Sequence, residues 1–394
     1  MPKPILIYQP KGPAGEYAEW AVNLHNGCTN GCTYCYNRRG FMSHAFGDEP
    51  KVAAPIRRWT EQTHRMREKE GMLEWDADME YDFQRIGAML IVKEDIEKIG
   101  AERLIADGGV FMSFKCDPLE LSHQLMTGEV FEIIARHHIP VTILTKSVDW
   151  LDRNGWQSYL RYEPWKELIT IGFTLTGMDE MERNAPSNAE RIHALKRLHY
   201  MGIKTFVSLE PVVSFDASLR MIEQASLYCN EFRIGLMSPY KKTRYSVFDL
   251  VDFIDIVNSM RQEQNLDIRW KVSVTEALRK KGISYTLTDG VLDFPQDERA
   301  RLDLQSSLTD SFMFGDINKE LKGFGILGKL MNEVQKQEMI HKVNQAVRMI
   351  SDQDSEFGLN YLNLDDDDSV KIKNAFSEVV NNGICLLKLL KEYE

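Results

Sequence analysis

Five short apolar runs, Val110–Phe114, Val141–Leu144, Ile169–Leu175, Thr205–Leu209 and Phe232–Leu236, follow one another along the middle of the chain. Each is four to seven residues long and rich in β-branched or aromatic side chains, as buried strands are. A further run of four, Ala21–Leu24, precedes them. Between the runs lie helical patterns, over about 128–138, 218–228 and 246–265. The clearest begins after Pro186, where Ser187 and Glu190 suit a capping box and Ile192, Leu195, Leu198 and Met201 return every third residue. Strand then helix, repeated about six times, implies parallel strands joined by right-handed crossovers. The expected fold class is α/β: a partial (β/α)6 TIM-like barrel, whose reacting residues gather at the C-terminal ends of its strands.

The rhythm stops near Lys281. Residues 1–282 are therefore expected to form the barrel, with an insertion over about 40–80 that shows no sustained period and covers the site. Residues 283–394 are expected to form an acidic, mainly helical C-terminal appendage, with one helix through 328–350 and another after Asp365–Asp368. On the latter, Ile372, Phe376, Val379, Gly383 and Leu387 trace one face, suited to packing on the barrel or on a protein partner. The net charge of −11 argues at first against a nucleic-acid partner. However, 20 acidic and 12 basic residues lie beyond 282, so most of the excess is in the tail and a basic groove on the first part stays open. No stretch approaches the roughly 18 apolar residues of a membrane span, and the first ten residues lack a signal-peptide core, so a cytoplasmic protein without membrane contact is expected.

Six cysteines are present, at 28, 32, 35, 116, 229 and 385. The first three stand in Asn26-Gly27-Cys28-Thr29-Asn30-Gly31-Cys32-Thr33-Tyr34-Cys35-Tyr36, directly after the Ala21–Leu24 run. A cluster of this kind reads as metal binding, not as a disulfide framework. Three thiolates on one Gly-bearing loop can hold three irons of a [4Fe–4S] cluster, and the missing fourth ligand leaves one iron open to a substrate. The competing reading is a structural zinc completed by His25 or another residue, although no second cysteine pair supports it and His25 is more often a loop or supporting residue than a ligand.

The spacing C-x3-C-x2-C, with Tyr34 just before Cys35, resembles the radical SAM superfamily. Further matches to its spore photoproduct lyase-like branch, a DNA-repair "photolyase" group, extend over roughly residues 7–280. They are Ala14-Gly15-Glu16-Tyr17, the Cys116-Asp117-Pro118 triplet, Ile143-Leu144-Thr145-Lys146-Ser147, Glu182 with Ala185-Pro186, and Ser208-Leu209-Glu210-Pro211. The resemblance implies that the open iron binds S-adenosylmethionine and that the reduced cluster cleaves it to a 5′-deoxyadenosyl radical, with a flavodoxin- or ferredoxin-like reductant as electron donor. It implies cofactor contacts for Tyr34, Tyr36, Asp117 (toward the methionyl ammonium), Lys146 (toward its carboxylate) and Thr174. Cys116 is the catalytic candidate, because a thiol near the radical could return a hydrogen atom. In spore photoproduct lyase the hydrogen-donating cysteine stands three residues before the aspartate, a place held here by Phe114.

Three functions compete. An enzyme repairing or modifying a nucleobase or nucleic acid fits the resemblance and the basic, aromatic stretch Pro239–Tyr245. Radical modification of a peptide or protein, or activation of a partner enzyme, is weakened by the lack of a second cysteine cluster. A non-catalytic cluster-bearing binding or sensing protein is disfavoured by Asp117 and Lys146.

Overall fold

A computed structural model of the chain describes residues 5–38, 49–71, 76–237 and 246–302. The chain divides into two compact units, residues 1–295 and 296–394. Of the second only residues 296–302 are described, and they are helical. The helices expected over 328–350 and after Asp365–Asp368, Cys385, and the basic stretch 239–245 lie outside the described residues.

The first unit opens with β1 (Ile7–Tyr8) and β2 (Trp20–Val22), paired antiparallel, then β3 (His25–Asn26) and β4 (Lys51–Val52), which pair only with each other. Three helices follow, α1 (Ala54–Lys69), α2 (Ala77–Ile99) and α3 (Ala101–Ala106). Strand and helix then alternate: β5 (Val110–Met112), α4 (Gln124–Arg136), β6 (Val141–Thr145), α5 (Asn154–Arg161), α6 (Glu163–Lys166) and β7 (Ile169–Thr174). The alternation continues through α7 (Asn188–Tyr200), β8 (Lys204–Val212), α8 (Phe215–Ala225), β9 (Glu231–Leu236), α9 (Val247–Gln264), β10 (Asp267–Trp270) and α10 (Val272–Lys280). A hairpin of β11 (Thr286–Thr288) and β12 (Val291–Asp293) closes the unit.

The main sheet has the order β1-β2-β5-β6-β7-β8-β9-β10, and every neighbouring pair except β1–β2 is parallel. Strands thus add one after another in chain order, as right-handed crossovers with helices on one face require. The sheet is also curled. Neighbouring strands lie about 4.8 Å apart, so β5 and β9 would be roughly 19 Å apart if flat. Yet the ring of Tyr17 lies 5.1 Å from the ring of Phe111 on β5, 5.3 Å from the Arg233 guanidinium on β9 and 3.6 Å from Lys271 Nζ after β10. One side chain reaches all three because the sheet wraps round it.

The capping box is present: Ser187 accepts from the Glu190 amide while the Glu190 side chain accepts from Ser187. On α7 the buried face is Arg191, Ala194, Leu195 and Leu198, whereas Ile192 and Met201 are half-buried. The expected apolar stripe therefore contains a fully buried arginine. The insertion expected over about 40–80 holds a sixteen-residue helix, α1, that periodicity misses because only Ile56 and Thr60 are buried on it. Its anchor is instead Trp59, whose indole lies where a Cβ on Gly87 of α2 would be, 2.6 Å from Cε3. Strand β10 was also not expected from the sequence. Around it, Trp270 Nε1 donates to Gly290 O at 3.0 Å, and Asn258 Nδ2 of α9 to Leu292 O at 2.8 Å, so the hairpin beyond residue 282 packs with the first unit. No helix among the described residues is long and apolar enough to cross a membrane.

Candidate active site

The three clustered cysteines lie on the loop that leaves β2 and β3, at the C-terminal edge of the sheet. Asn23 holds the start of this loop: its Oδ1 accepts from the Phe114 and Lys115 amides at 2.8 and 3.1 Å. From the segment after β5, Lys115 O accepts from Gly27 N at 2.8 Å, and the Glu120 carboxylate accepts from the amide and hydroxyl of Thr29. From the segment after β7, Asn184 donates its side-chain amide to Thr29 O at 2.7 Å and its backbone amide to Asn30 O at 3.1 Å. Met181 O accepts from Thr33 N at 2.9 Å, and Cys32 bridges Glu182 in an antiparallel pair. Gly27 and Gly31 take φ values of +91° and +66°, a region that side chains disfavour. At Gly31 a Cβ would also press on Asn184 Nδ2 at 3.2 Å.

Cys28, Cys32 and Cys35 are free thiols. Burial pushes Cys28 up to about 12, and the nearby Asp117 charge adds to it. Burial raises Cys32 as well, against the opposing pull of Lys146. A metal ligand must be a thiolate, and a bound cation reverses such shifts by its own charge. Three thiols on one loop, tied at the backbone to two neighbouring segments, fit an iron–sulfur cluster with three protein ligands.

Beside Cys35, the Tyr34 hydroxyl donates to Glu182 Oε1, and Arg191 Nη2 donates to Glu182 Oε2. Arg191 spends its other donors on Thr174 O at 2.6 Å and Pro186 O at 2.9 Å. Glu182 and Arg191 are buried, a charge pair that is tolerated because each partner is multiply hydrogen-bonded. Burial and the Glu182 charge push the Tyr34 phenol far up, so it stays a neutral donor. Lys146, at the end of β6, stands 3.9 Å from Glu182 Oε1, an ion pair without a hydrogen bond, and 5.6 Å from the centre of the Tyr34 ring. Thr174 is buried at the end of β7.

Asp117 is engaged on every side. Its Oδ1 accepts from Thr145 Oγ1 at 2.6 Å and Leu119 N at 3.1 Å, and its Oδ2 from Lys146 N at 2.8 Å and Asn30 Nδ2 at 3.0 Å. Four donors fill the lone-pair positions of a carboxylate. Through these bonds Asp117 fastens the cysteine loop to the end of β6. Tyr36 is 57% exposed, and its hydroxyl donates to Phe114 O.

Cys116 lies beside the base of the cysteine loop, where burial and the Cys28 charge raise its thiol, with its Sγ 3.0 Å from Ser113 Oγ, in one group with His25 and His123. Burial and the neighbouring His123 lower His25 to about 3 and keep it neutral. Phe114, by contrast, joins the ring cluster with Tyr17 and Phe111 on the concave side of the sheet, at 6.0 and 4.5 Å. There the Tyr17 hydroxyl donates to Glu210 Oε2 at 2.6 Å and lies 3.0 Å from Ser208 Oγ. Gly235 makes room for Glu210, whose Cδ would lie 3.0 Å from a Cβ at that position. Lys271, lowered by burial, rests on the Tyr17 ring, 3.6 Å from Glu16 Oε2.

Cys28, Cys32, Cys35, Tyr34, Tyr36, Asp117, Lys146, Thr174 and Cys116 all lie at the C-terminal end of the sheet, where strand ends in the sequence put them. Glu120, His123, Arg191, Arg233 and Lys271 were not expected. Glu120 and His123 follow Asp117 closely in the chain, which was the available signal; the arginines and Lys271 gain meaning only from their partners.

No family model matches the chain. An uncharacterized protein of Methanocaldococcus jannaschii is 24% identical over 204 residues, covering 50% of this chain and 61% of that protein. Among solved structures, spore photoproduct lyase complexed with dinucleoside spore photoproduct superposes with a TM-score of 0.38 at 13% identity, over 80% of this chain and 78% of that one. SuiB of Streptococcus suis bound to S-adenosylmethionine gives 0.34 at 11%, over 54% of this chain and 61% of that one. Superpositions this loose carry no residue over to this chain.

Proposed function

We propose that the chain is a radical SAM enzyme built on a partial (β/α) barrel, with Cys28, Cys32 and Cys35 as the ligands of its cluster. The observation that carries this reading is the C-x3-C-x2-C loop held at the C-terminal edge of the sheet beside Lys146. When bound there, a [4Fe–4S] cluster supplies, once reduced, the electron that cleaves S-adenosylmethionine to methionine and a 5′-deoxyadenosyl radical.

The protein binds and orients. Lys146 has an ammonium that no hydrogen bond to Glu182 consumes, so it is placed to pair with the carboxylate of the methionyl group. Asp117 is a positioning residue: it fixes the Lys146 backbone and Asn30 together, and so sets the distance between the loop and the end of β6. Tyr34, held by Glu182, lies against the Cys32 thiol, and the exposed ring of Tyr36 offers a face on which adenine could stack. Thr174 closes the series at the end of β7.

The substrate side is the concave one, where Tyr17 supplies an aromatic ring and where Arg233 and Lys271 are paired with Glu231 and Glu16. A nucleobase suits that aromatic lining and the resemblance of the sequence, with repair or modification of a nucleic acid as the reaction class. Anaerobic reconstitution followed by measurement of 5′-deoxyadenosine, with and without single-stranded DNA, duplex DNA, tRNA or peptides, tests both levels. Product formation that depends on Cys28, Cys32 and Cys35 is expected, with stimulation by a nucleic acid. Absence of 5′-deoxyadenosine from brown, reduced protein would refute the enzyme class, and stimulation by peptide alone would refute the substrate class.

A further inference from the structure

His25 and His123 lie face to face, with ring centres 3.9 Å apart and planes inclined by 20°. Only 4% and 1% of their surfaces are exposed. His123 Nδ1 is 2.8 Å from the Asp117 carbonyl oxygen. A neutral imidazole in that position donates from Nδ1, which leaves the lone pair on Nε2. That Nε2 has no hydrogen-bond partner, and neither does Nδ1 of His25. Buried polar atoms are nearly always satisfied, and two adjacent unpartnered imidazole nitrogens call for a ligand.

The third member of the group supplies the chemistry. Potential ligand atoms of His25, Cys116 and His123 all lie within 4.8 Å of one another. We propose that these three residues form a second metal site, separate from the loop thiols, for a zinc-class divalent ion held by two imidazole nitrogens and one thiolate. Nitrogen and sulfur donors select such an ion over magnesium or calcium. With zinc–nitrogen bonds of about 2.0–2.1 Å and a zinc–sulfur bond of about 2.3 Å, tetrahedral donors stand roughly 3.5 Å apart. Each imidazole lone pair lies in its ring plane, so on binding the two rings turn out of their face-to-face stack to meet one ion. On binding, the thiol loses its proton to solvent as the metal–sulfur bond forms. The hydrogen bond from His123 Nδ1 to a backbone carbonyl is the outer contact that ligand histidines usually make.

The placement gives the ion a structural task. His25 precedes the cysteine loop, Cys116 lies in the segment after β5, and His123 is the N-cap residue of α4. An ion here ties together the three segments that set the loop and Asp117. It also gives Cys116 a role other than the hydrogen donation expected from the sequence, and Phe114 occupies the concave side instead.

The test uses the full-length, cluster-loaded protein, exposed anaerobically to one equivalent of zinc and then desalted. One zinc per chain is expected, with X-ray absorption fine structure showing two nitrogen neighbours and one sulfur. Cys116→Ser and His123→Gln should each weaken zinc retention at least tenfold while iron content and the far-ultraviolet circular dichroism stay unchanged. In cobalt-substituted protein, the thiolate-to-metal absorption should vanish in Cys116→Ser. No retained zinc in the wild type, a shell of three or four sulfurs, or undiminished zinc in both folded variants would overturn the site. Should the variants not fold, the wild-type metal content and absorption shell decide alone. Neither result depends on cleavage of S-adenosylmethionine, so this inference and the proposed activity fail separately.

Discussion

The Glu182 carboxylate takes the Tyr34 phenol on one oxygen and the Arg191 guanidinium on the other, and all of this is buried. Glu182→Ala would leave Arg191 buried with only the more distant, exposed Asp179 carboxylate at 3.9 Å, and breaking such a buried pair costs about 3–5 kcal/mol. Chemical denaturation should show that loss, together with a cysteine loop that no longer retains iron. Glu182→Gln keeps an acceptor for Arg191 and should fall well short of it. Lys146 belongs to the same cluster but serves a different end. Lys146→Met should leave iron content intact and weaken S-adenosylmethionine binding about tenfold, or about 1.4 kcal/mol. Equilibrium dialysis with cluster-loaded protein measures this, and unchanged affinity would remove Lys146 from the cofactor site. The two residues differed sharply in how far the sequence revealed them. Lys146 follows a recognisable strand, so its place at a strand end could be read directly. Arg191 sits on the inward face of α7 among Ala194, Leu195 and Leu198, and nothing local signals that a charge belongs there. Only Glu182, brought round by the segment after β7, explains it.

Among the elements, those with a strong period or cap were legible and those held by one contact were not. β5 to β9 and α7 carry β-branched runs or a capping box, whose physics is local. β10 has two charged residues in four and exists because its backbone pairs with β9. α1 lacks an apolar stripe and depends on Trp59 against Gly87. That dependence can be checked by sign. In a free helix, Gly→Ala gains up to about 1 kcal/mol from propensity. At position 87 the new methyl would meet the indole at 2.6 Å, and overpacking costs about 1–3 kcal/mol. Gly87→Ala should therefore destabilise the protein, whereas in a Trp59→Ala background the same change should stabilise it. Thermal or urea unfolding of the four proteins completes the cycle. A Gly87→Ala protein as stable as wild type would show that α1 is not anchored this way.

At the scale of the whole first unit, the curl of the sheet brings its early and late strands to one side chain. Glu16, just before β2, accepts from Val272 N at 2.8 Å and pairs with Lys271 at 3.6 Å, directly after β10. Tyr17, the next residue, touches Phe111, Ser208, Glu210 and Arg233. No single strand of the sequence announces this, because the contacts join residues some 250 positions apart and follow only from the curvature that seven parallel strands acquire together. The stitch has a definite consequence. Glu16→Ala removes the carboxylate beside a buried ammonium and the acceptor of the first amide of α10, a loss of about 1–3 kcal/mol. The effect should be confined to what the stitch joins. Hydrogen exchange should quicken together in β1, β2, β10 and the start of α10, while β6 and β7, paired on both sides in the middle of the sheet, keep their protection. Faster exchange spread evenly over all strands would mean that Glu16 stabilises the unit as a whole, and faster exchange in β10 alone would mean that it merely caps α10. A coupled response of the two edges is the outcome specific to a curled sheet closed by its own N-terminal segment.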